Sequence, residues 1–284
     1  MKKIAVTGAT GFVGIKVVEE LLRRGYEVVT VSRSSEVADS VSWKGKTTHL
    51  SFDLVKGYKD DGLFAFLGGV GTVIHLAWDD LDDYYADSHL EQQLSAHMVF
   101  LKNLVMCGAD NISVAGTCLE YGLHNGCLNE AMLTSPVLPY GRAKDTLRHY
   151  LQLLQRKHPF SMKWFRYFYI DGNSSRRRSS LLTQLDQAIE NGDSVFNMSG
   201  GEQLRDYVHI DKFAEYTVVL ALQPENMGVV NICSGSPVSV RQLVENRIRE
   251  RNASIELNLG YYSYPEYEPM AFWGDDAKLS RLLR

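Results

Sequence analysis

Short apolar runs alternate, from the start of the chain, with segments whose apolar residues recur at helical spacing. Residues 3–6 form the first apolar run, which is typical of a buried strand. In residues 15–24, valines and leucines recur every three or four positions, which predicts an amphipathic helix. Residues 26–32 are again rich in valine and predict a second strand. The chain therefore opens as strand, helix and strand.

The same alternation continues through the first half of the chain. Further strands are predicted at 49–54, 70–77 and 111–117. A helical segment is predicted around 63–67, and a long helix over 91–106. Strands that alternate with helices at this spacing predict an α/β fold built on a parallel, doubly wound sheet.

Glycines mark the turn between the first predicted strand and the first predicted helix. They allow a tight turn, a close approach of the backbone to a pyrophosphate, and close packing of helix on strand. The helix N-terminus then offers N–H groups and a partial positive charge to the phosphates. This pattern predicts a dinucleotide site, against the alternative of a tight turn that binds no ligand. The residues expected to bind the cofactor here are Gly8, Thr10, Gly11, Phe12, Val13 and Gly14.

Composition and charge are ordinary for a soluble globular protein, with 45% apolar and 23% charged residues in a chain of 284. A formal net charge of −4 gives no reason to expect nucleic acid or a membrane as a partner. The first apolar stretch breaks at Gly8, too early for a signal peptide. The four cysteines lack metal-ligand spacing and are expected to be reduced thiols. We therefore expect a cytoplasmic protein without a metal site.

Arg33 follows the second predicted strand, where a fold of this kind places the adenine ribose. An acidic residue at that point would accept hydrogen bonds from the ribose hydroxyls and favour NAD. Ser32, Arg33 and Ser34 instead offer a cation and two hydroxyls, which suit a 2′-phosphate. The sequence therefore favours NADP(H) over NAD(H). The alternative is a solvated loop arginine.

Tyr140 and Lys144 lie four residues apart at the start of a predicted helix, so their side chains share one face. A tyrosine has a pKa near ~10 and needs a nearby cation to act as an acid or base at neutral pH. Lys144 can supply that charge. Thr117 ends the fifth predicted strand, and its hydroxyl could reach the same carbonyl oxygen as Tyr140. Any one of the three alone would be read as structural.

Together these motifs resemble the extended short-chain dehydrogenase/reductase family, in its nucleotide-sugar branch, the NAD-dependent epimerase/dehydratase family. The match covers nearly the whole chain. The resemblance implies a Rossmann-type cofactor domain over residues 1–171, completed by residues 206–235. It also implies a smaller C-terminal cap, mainly over 172–284, that binds the substrate.

The resemblance assigns roles to individual residues. It implies that Thr117, Tyr140 and Lys144 are the catalytic set. The cofactor contacts that it adds to the glycine turn and Arg33 are Asp53, Leu54, Ala77, Tyr140 and Lys144.

Arg205 begins a segment, residues 205–211, that is similar to a substrate-binding segment of the family. The resemblance implies that its guanidinium, a fork of donors that fits a phosphate, meets the diphosphate of a nucleotide sugar. The alternative is a local ion pair with Asp206. The expected substrate contacts are Trp78, Thr117, Tyr140 and Arg205.

The chain also departs from the family. Cys118 and Leu119 stand where sugar-nucleotide dehydratases carry an Asp-Glu pair for eliminating water, which disfavours a dehydratase. The basic run 176–178 stands where substrate caps begin, and it is read equally as a phosphate contact or as a solvated turn.

The leading hypothesis is an enzyme that reduces the C4 ketone of a nucleotide-linked 4-keto-6-deoxyhexose with NADPH, dTDP sugars being favoured, in deoxysugar biosynthesis for surface polysaccharide. A C4 epimerase with bound NAD would use the same catalytic residues. An alternative of another class is a non-catalytic NADP-binding sensor or scaffold. The resemblance further implies a homodimer formed through the helices at 91–106 and 140–155.

Overall fold

The structure, a computed structural model, describes residues 3–57, 67, 69–172 and 180–284. The predicted helical segment around 63–67 lies, apart from Leu67, outside the described residues, as does the basic run 176–178. Within the described ranges, no helix has the length and apolar character needed to cross a membrane. The four cysteines are free thiols, and the buried ones are Cys118 and Cys233.

The strands are short, mostly of three to seven residues. In chain order they are β1 (Ile4–Thr7), β2 (Val28–Ser32), β3 (Thr48–Ser51), β4 (Thr72–His75), β5 (Asn111–Thr117), β6 (Gly126–Leu128), β7 (Ser161–Tyr167), β8 (Tyr169–Asp171), β9 (Val195–Asn197), β10 (Leu204–His209), β11 (Gly228–Ile232), β12 (Pro237–Ser239), β13 (Glu256–Asn258) and β14 (Phe272–Gly274).

One parallel sheet of seven strands organises the molecule, in the order β11-β7-β5-β4-β1-β2-β3. Ile4 of β1 pairs with Val28 on one side and with Thr72 on the other. The order of the strands reverses between β1 and β4, and a parallel sheet opens a crevice at the carboxyl ends of its strands at such a point. The predicted doubly wound α/β fold is confirmed. Every residue of β1, β2 and β5 is buried, as expected of the central strands of a parallel sheet covered on both faces.

Helices connect these strands. They are α1 (Phe12–Arg23), α2 (Ser35–Ala38), α3 (Leu54–Gly57), α4 (Leu94–Met106), α5 (Pro139–Lys157), α6 (Leu181–Asn191), α7 (Ile210–Leu222), α8 (Val240–Glu250) and α9 (Ala277–Leu282). A π-helical turn, His89–Gln93, leads into α4, so the predicted helix over 91–106 begins as a wider turn.

The sheet is covered on both faces, and successive residues of β1 serve different faces. Ala5 packs with the core formed by α4 and α5, which includes Phe100 and Leu147. Ile4 and Val6 pack with the core formed by α1 and α7. The two layers hold the carboxyl ends of the strands in fixed positions.

A smaller part of the chain lies beside the large sheet. It contains the sheet β12-β10-β8 and the strand pairs β13-β9 and β14-β6. Its own core joins α6 and α8 through side chains that include Leu185 and Val244. The elements α7 and β11 return to the large sheet, within the range predicted to complete the cofactor domain. The exact boundary between the two domains stays a prediction.

Candidate active site

The glycine turn lies at the carboxyl end of β1 and is tight enough to require glycine at two positions. Gly8 has φ of +66°, and a Cβ added there would come within 2.7 Å of the Ala77 nitrogen. A Cβ on Gly14 would lie 2.1 Å from the Gly8 oxygen. Gly11 precedes α1 as its N-cap residue and has no side chain to cover the helix end. The backbone N–H groups at the start of α1 are therefore accessible to a phosphate group, so the turn fits the pyrophosphate of a dinucleotide.

A cleft of about 930 Å³ runs along the carboxyl ends of the strands. It is lined by most of the residues that the sequence predicts for the cofactor and the substrate: Gly8, Thr10, Gly11, Phe12, Val13, Gly14, Arg33, Leu54, Ala77, Trp78, Thr117, Tyr140 and Lys144.

Two predicted residues, Asp53 and Arg205, do not line this cleft within the described ranges. The carboxylate of Asp53 accepts hydrogen bonds from the N–H groups of Val55 and Lys56, at 3.1 and 3.2 Å. Asp53 thereby caps α3 while its neighbour Leu54 faces the cleft.

Arg33 lies at the edge of the cleft with its side chain 64% exposed. Its Nη1 is 3.2 Å from the Oδ2 of Asp79, in the loop after β4. Its neighbour Ser34 caps α2 by accepting a hydrogen bond from the Val37 N–H at 3.2 Å. An exposed ion pair of this kind contributes little, so Arg33 is available to another anion.

Tyr140 and Lys144 lie one turn apart on α5, which begins at Pro139, and both side chains are buried. The ammonium of Lys144 donates to the carbonyl oxygen of Ala115 at 2.9 Å. Burial lowers the pKa of Lys144 to about 7, and the charge of Glu120 opposes this shift. Burial raises the pKa of Tyr140 well above its usual range. Tyr140 is therefore protonated at neutral pH and can donate a proton.

Thr117 ends β5, and its side chain is fixed by a capping box. Its Oγ1 accepts a hydrogen bond from the Leu119 N–H at 3.2 Å. Its own N–H donates to Glu120 Oε1 at 2.9 Å. The structure thus brings Thr117, Tyr140 and Lys144 together at the floor of the cleft.

Glu120 is a residue that the sequence analysis missed. Its carboxylate is fully buried and accepts hydrogen bonds from Trp164 Nε1 at 2.8 Å and from Arg166 Nε at 2.9 Å. The spacing of Thr117 and Glu120 is that of a capping box and was the available signal. Glu120 therefore anchors the end of β5 from behind.

Trp78 forms part of the cleft wall beside Lys144. The ammonium of Lys144 lies 3.9 Å from the centroid of the Trp78 ring. The indole stacks on His97 with the ring centroids 4.4 Å apart and donates from Nε1 to His89 Nδ1 at 3.0 Å. Trp78 is thus held between α5, the start of α4 and the turn that precedes it.

A chain of buried polar side chains runs behind Trp78, and the sequence carried no signal for it. Thr7 Oγ1 lies 2.8 Å from His75 Nδ1, and His75 Nε2 lies 2.7 Å from His97 Nδ1. His97 Nε2 is 3.2 Å from Gln93 Oε1. Burial lowers the pKa of His75 to about 3 and that of His97 well below its usual value. Both rings are therefore neutral.

Arg205 lies behind the cleft, 3% exposed, and is paired with a carboxylate from the C-terminal part of the chain. Its Nη2 donates to Glu268 Oε2 at 2.9 Å. The neighbouring Asp206 instead accepts from the backbone N–H groups of Ser234 and Gly235, at 2.7 and 3.0 Å. The ion pair found here is therefore not the local one considered from the sequence.

Comparison with known proteins identifies the family of the chain. The model of the NAD dependent epimerase/dehydratase family matches residues 4–233. The dTDP-6-deoxy-L-talose 4-dehydrogenase (NAD(+)) of Aggregatibacter actinomycetemcomitans is 30% identical over 272 residues, which cover 95% of this chain and 98% of the relative. The UDP-glucuronate 4-epimerase of Thermodesulfobacterium geofontis is 24% identical over 296 residues, which cover 98% of this chain and 89% of the relative.

A solved structure is similar over the whole fold. MoeE5 in complex with UDP-glucuronic acid and NAD matches with a TM-score of 0.82 at 25% identity, covering 99% of this chain and 92% of that chain. The predicted family is thereby confirmed, and the non-catalytic alternative is set aside because the relatives are enzymes. The chain belongs to the NAD dependent epimerase/dehydratase family, and it is an NAD(P)-dependent oxidoreductase.

Proposed function

We propose that this enzyme reduces the C4 ketone of a nucleotide-linked 4-keto-6-deoxyhexose, with a dTDP sugar as the favoured substrate and deoxysugar synthesis for surface polysaccharide as its role. The observation that carries the proposal is the meeting of Thr117, Tyr140 and Lys144 in one cleft with the glycine turn. The relative from Aggregatibacter supports the sugar class, because its name describes oxidation of a dTDP-6-deoxy sugar at C4. Reduction at C4 is the reverse of that reaction.

The chain's own residues supply acid catalysis. A nicotinamide cofactor, when bound along the glycine turn, supplies the hydride for the carbonyl carbon. Tyr140, held protonated by burial, donates its proton to the alkoxide that develops on the carbonyl oxygen. Thr117 orients that oxygen, and Lys144 stabilises the phenolate that Tyr140 leaves. Aromatic neighbours cover the Tyr140 ring and limit the access of water: the half-buried Tyr84, at a centroid distance of 5.1 Å, and the buried Trp78, at 6.2 Å.

The test is consumption of NADPH by the purified enzyme with a dTDP-4-keto-6-deoxyhexose, followed by the absorbance of the reduced nicotinamide. The control is Tyr140→Phe, which keeps the ring and removes the proton donor. We expect the variant to bind NADPH normally and to lose about 10²–10⁴-fold in kcat. No NADPH consumption with any sugar of this class would contradict the proposal.

Cofactor choice is the finer part of the proposal. Arg33 with Ser32 and Ser34 at the cleft edge supports NADP(H), while the name of the Aggregatibacter relative specifies NAD(+). The ion pair between Arg33 and Asp79 is exposed, so a phosphate can replace the Asp79 carboxylate at little cost. We therefore propose NADP(H) and take the ratio of NADPH to NADH turnover as the measurement.

A C4 epimerase that keeps NAD bound is the second candidate. The match to the UDP-glucuronate 4-epimerase supports it, and Thr117, Tyr140 and Lys144 would serve it equally. The two candidates differ in the cofactor that survives purification. Retained NAD(H), with isomerisation of the sugar and no net NADPH consumption, would favour the epimerase.

We also propose that the enzyme forms a homodimer through α4 and α5. These helices pack on each other, and each presents an exposed apolar side chain, Met106 at 56% and Leu153 at 58%. Sedimentation of the purified protein tests the proposal. A Leu153→Glu variant is expected to sediment as a monomer.

A further inference from the structure

The carboxylate of Glu268 occupies the space in front of Arg205. Its Oε2 accepts a hydrogen bond from Arg205 Nη2 at 2.9 Å, and its Oε1 accepts one from the hydroxyl of Tyr169. Both Glu268 and Tyr169 line the large cleft, whereas Arg205 lies directly behind them. Glu268 thus stands between the cleft and the arginine that is predicted to meet a substrate phosphate.

Arg205 is held in place by groups other than Glu268. Its Nη1 donates to the backbone oxygens of Leu204 and Met270, at 2.9 and 3.3 Å. Its guanidinium carbon lies 4.6 Å from the centroid of the Phe272 ring. The Nη2 edge that faces Glu268 is therefore positioned by the backbone and the ring, and it would stay in place if the carboxylate left.

The charge of Glu268 also reaches the catalytic floor. Burial raises the pKa of the Cys118 thiol far above its usual value, and the Glu268 carboxylate adds to this shift. Cys118 directly follows Thr117. A diphosphate that entered between Arg205 and the catalytic residues would come close to this carboxylate. Two anions at the same position repel each other.

We propose that the carboxylate of Glu268 occupies the position beside Arg205 where the diphosphate of a nucleotide sugar would bind. The nucleotide sugar must then displace this carboxylate in order to bind. The inference rests on the proposed nucleotide-sugar function. It makes Glu268 the residue that sets the affinity for the diphosphate.

The test measures the affinity of dTDP by calorimetry for the wild type, Glu268→Gln and Glu266→Gln. Glutamine keeps the size of the side chain but removes its charge, so dTDP is expected to bind about tenfold tighter, the scale of one charge-assisted hydrogen bond. Glu266 is exposed and two residues away, so its variant controls for net charge and is expected to match the wild type.

Two further variants test whether Glu268 affects dTDP binding through its contacts with Arg205 and Tyr169. In an Arg205→Gln background the additional change Glu268→Gln is expected to have no effect on dTDP affinity, because the guanidinium that would bind the diphosphate is already lost. Tyr169→Phe removes the second donor to Glu268 and is expected to tighten dTDP binding in the same direction. NADPH affinity, measured in parallel, reports that each variant is folded and is expected to stay unchanged.

The outcomes separate the two proposals. If the wild type binds dTDP and Glu268→Gln binds it no more tightly, the inference about Glu268 is overturned and the proposed function stands. If neither protein binds dTDP while both bind NADPH, the inference and the proposed substrate class both fail.

Discussion

The ammonium of Lys144 lies 3.9 Å from the centroid of the Trp78 ring and donates to a backbone carbonyl, that of Ala115. An aromatic face and a carbonyl dipole thus hold this lysine, and burial keeps its pKa at about 7. A lysine held in this way can change its charge near neutral pH. Trp78 is therefore a positioning residue for the lysine as well as part of the cleft wall.

Replacing Trp78 with leucine is expected to remove the aromatic face beside the Lys144 ammonium while its surroundings stay apolar. A desolvated cation–π contact contributes about 2 kcal/mol, so kcat is expected to fall by roughly tenfold or more. Because the lost contact stabilises the charged ammonium, the pKa of Lys144 is expected to fall below about 7, and the limb of the kcat/KM profile that reports it is expected to move to lower pH. Trp78→Phe keeps an aromatic face and is the control. An unchanged pH profile in Trp78→Leu would argue against the positioning role.

Acid is expected to destabilise the protein through His75. Its pKa falls from 6.5 in the unfolded chain to about 3 in the fold, so the unfolded chain binds more protons between these values. The free energy of unfolding therefore decreases as pH drops through this window. Urea unfolding at several pH values is the measurement. His75→Gln is expected to show a shallower decline, and His158→Gln, at the partly exposed end of α5, the decline of the wild type.

Arg33→Ala is expected to raise the KM for NADPH by roughly tenfold, because a charge-assisted hydrogen bond to the 2′-phosphate is lost. The KM for NADH is expected to stay unchanged. Asp79→Asn, which removes the ion-pair partner of Arg33, is the matched control and is expected to improve NADPH binding slightly. Equal effects of Arg33→Ala on both cofactors would identify a loop arginine without a role in cofactor choice.

Glu120→Gln is expected to destabilise the fold by about 3 kcal/mol, since it leaves the buried Arg166 without its carboxylate. A glutamine amide also cannot accept from Thr117, Trp164 and Arg166 together. Chemical denaturation measures the change. Glu190→Gln removes an exposed ion pair with Arg251 and is expected to change stability by less than about 1 kcal/mol. A comparable loss in both variants would contradict the anchoring role of Glu120.

The parts of the site that the sequence predicted are those in which the chemistry is local in the chain. The glycine turn from Gly8 to Gly14 and the pair Tyr140 and Lys144 each lie within a single turn or helix. Their spacing alone determines which groups face the same way. The alternation of apolar runs predicted five strands of the central sheet, β1 to β5, whose bounds differ from the predicted ones by a few residues at most, but it did not predict β7 and β11.

The contacts that the sequence could not predict join residues far apart in the chain. His75 meets His97 only because β4 lies beside α4, and Arg205 meets Glu268 only because the C-terminal segment folds back onto β10. No periodicity records such pairs. The sequence predicts Trp78 only as a substrate contact, because its packing against Lys144 depends on the position of α5 beside the loop after β4.

Three consecutive residues after β4 contact three different parts of the cleft. The backbone of Ala77 lies directly against Gly8, and the ring of Trp78 contacts the ammonium of Lys144. The carboxylate of Asp79 forms an ion pair with Arg33. A change that shifts this loop therefore affects the glycine turn, Lys144 and Arg33 together. Under the roles proposed for Arg33 and Lys144, a change of cofactor preference that moves this loop is expected to alter turnover as well. Cofactor preference and turnover rate are therefore expected to change together in variants of this loop.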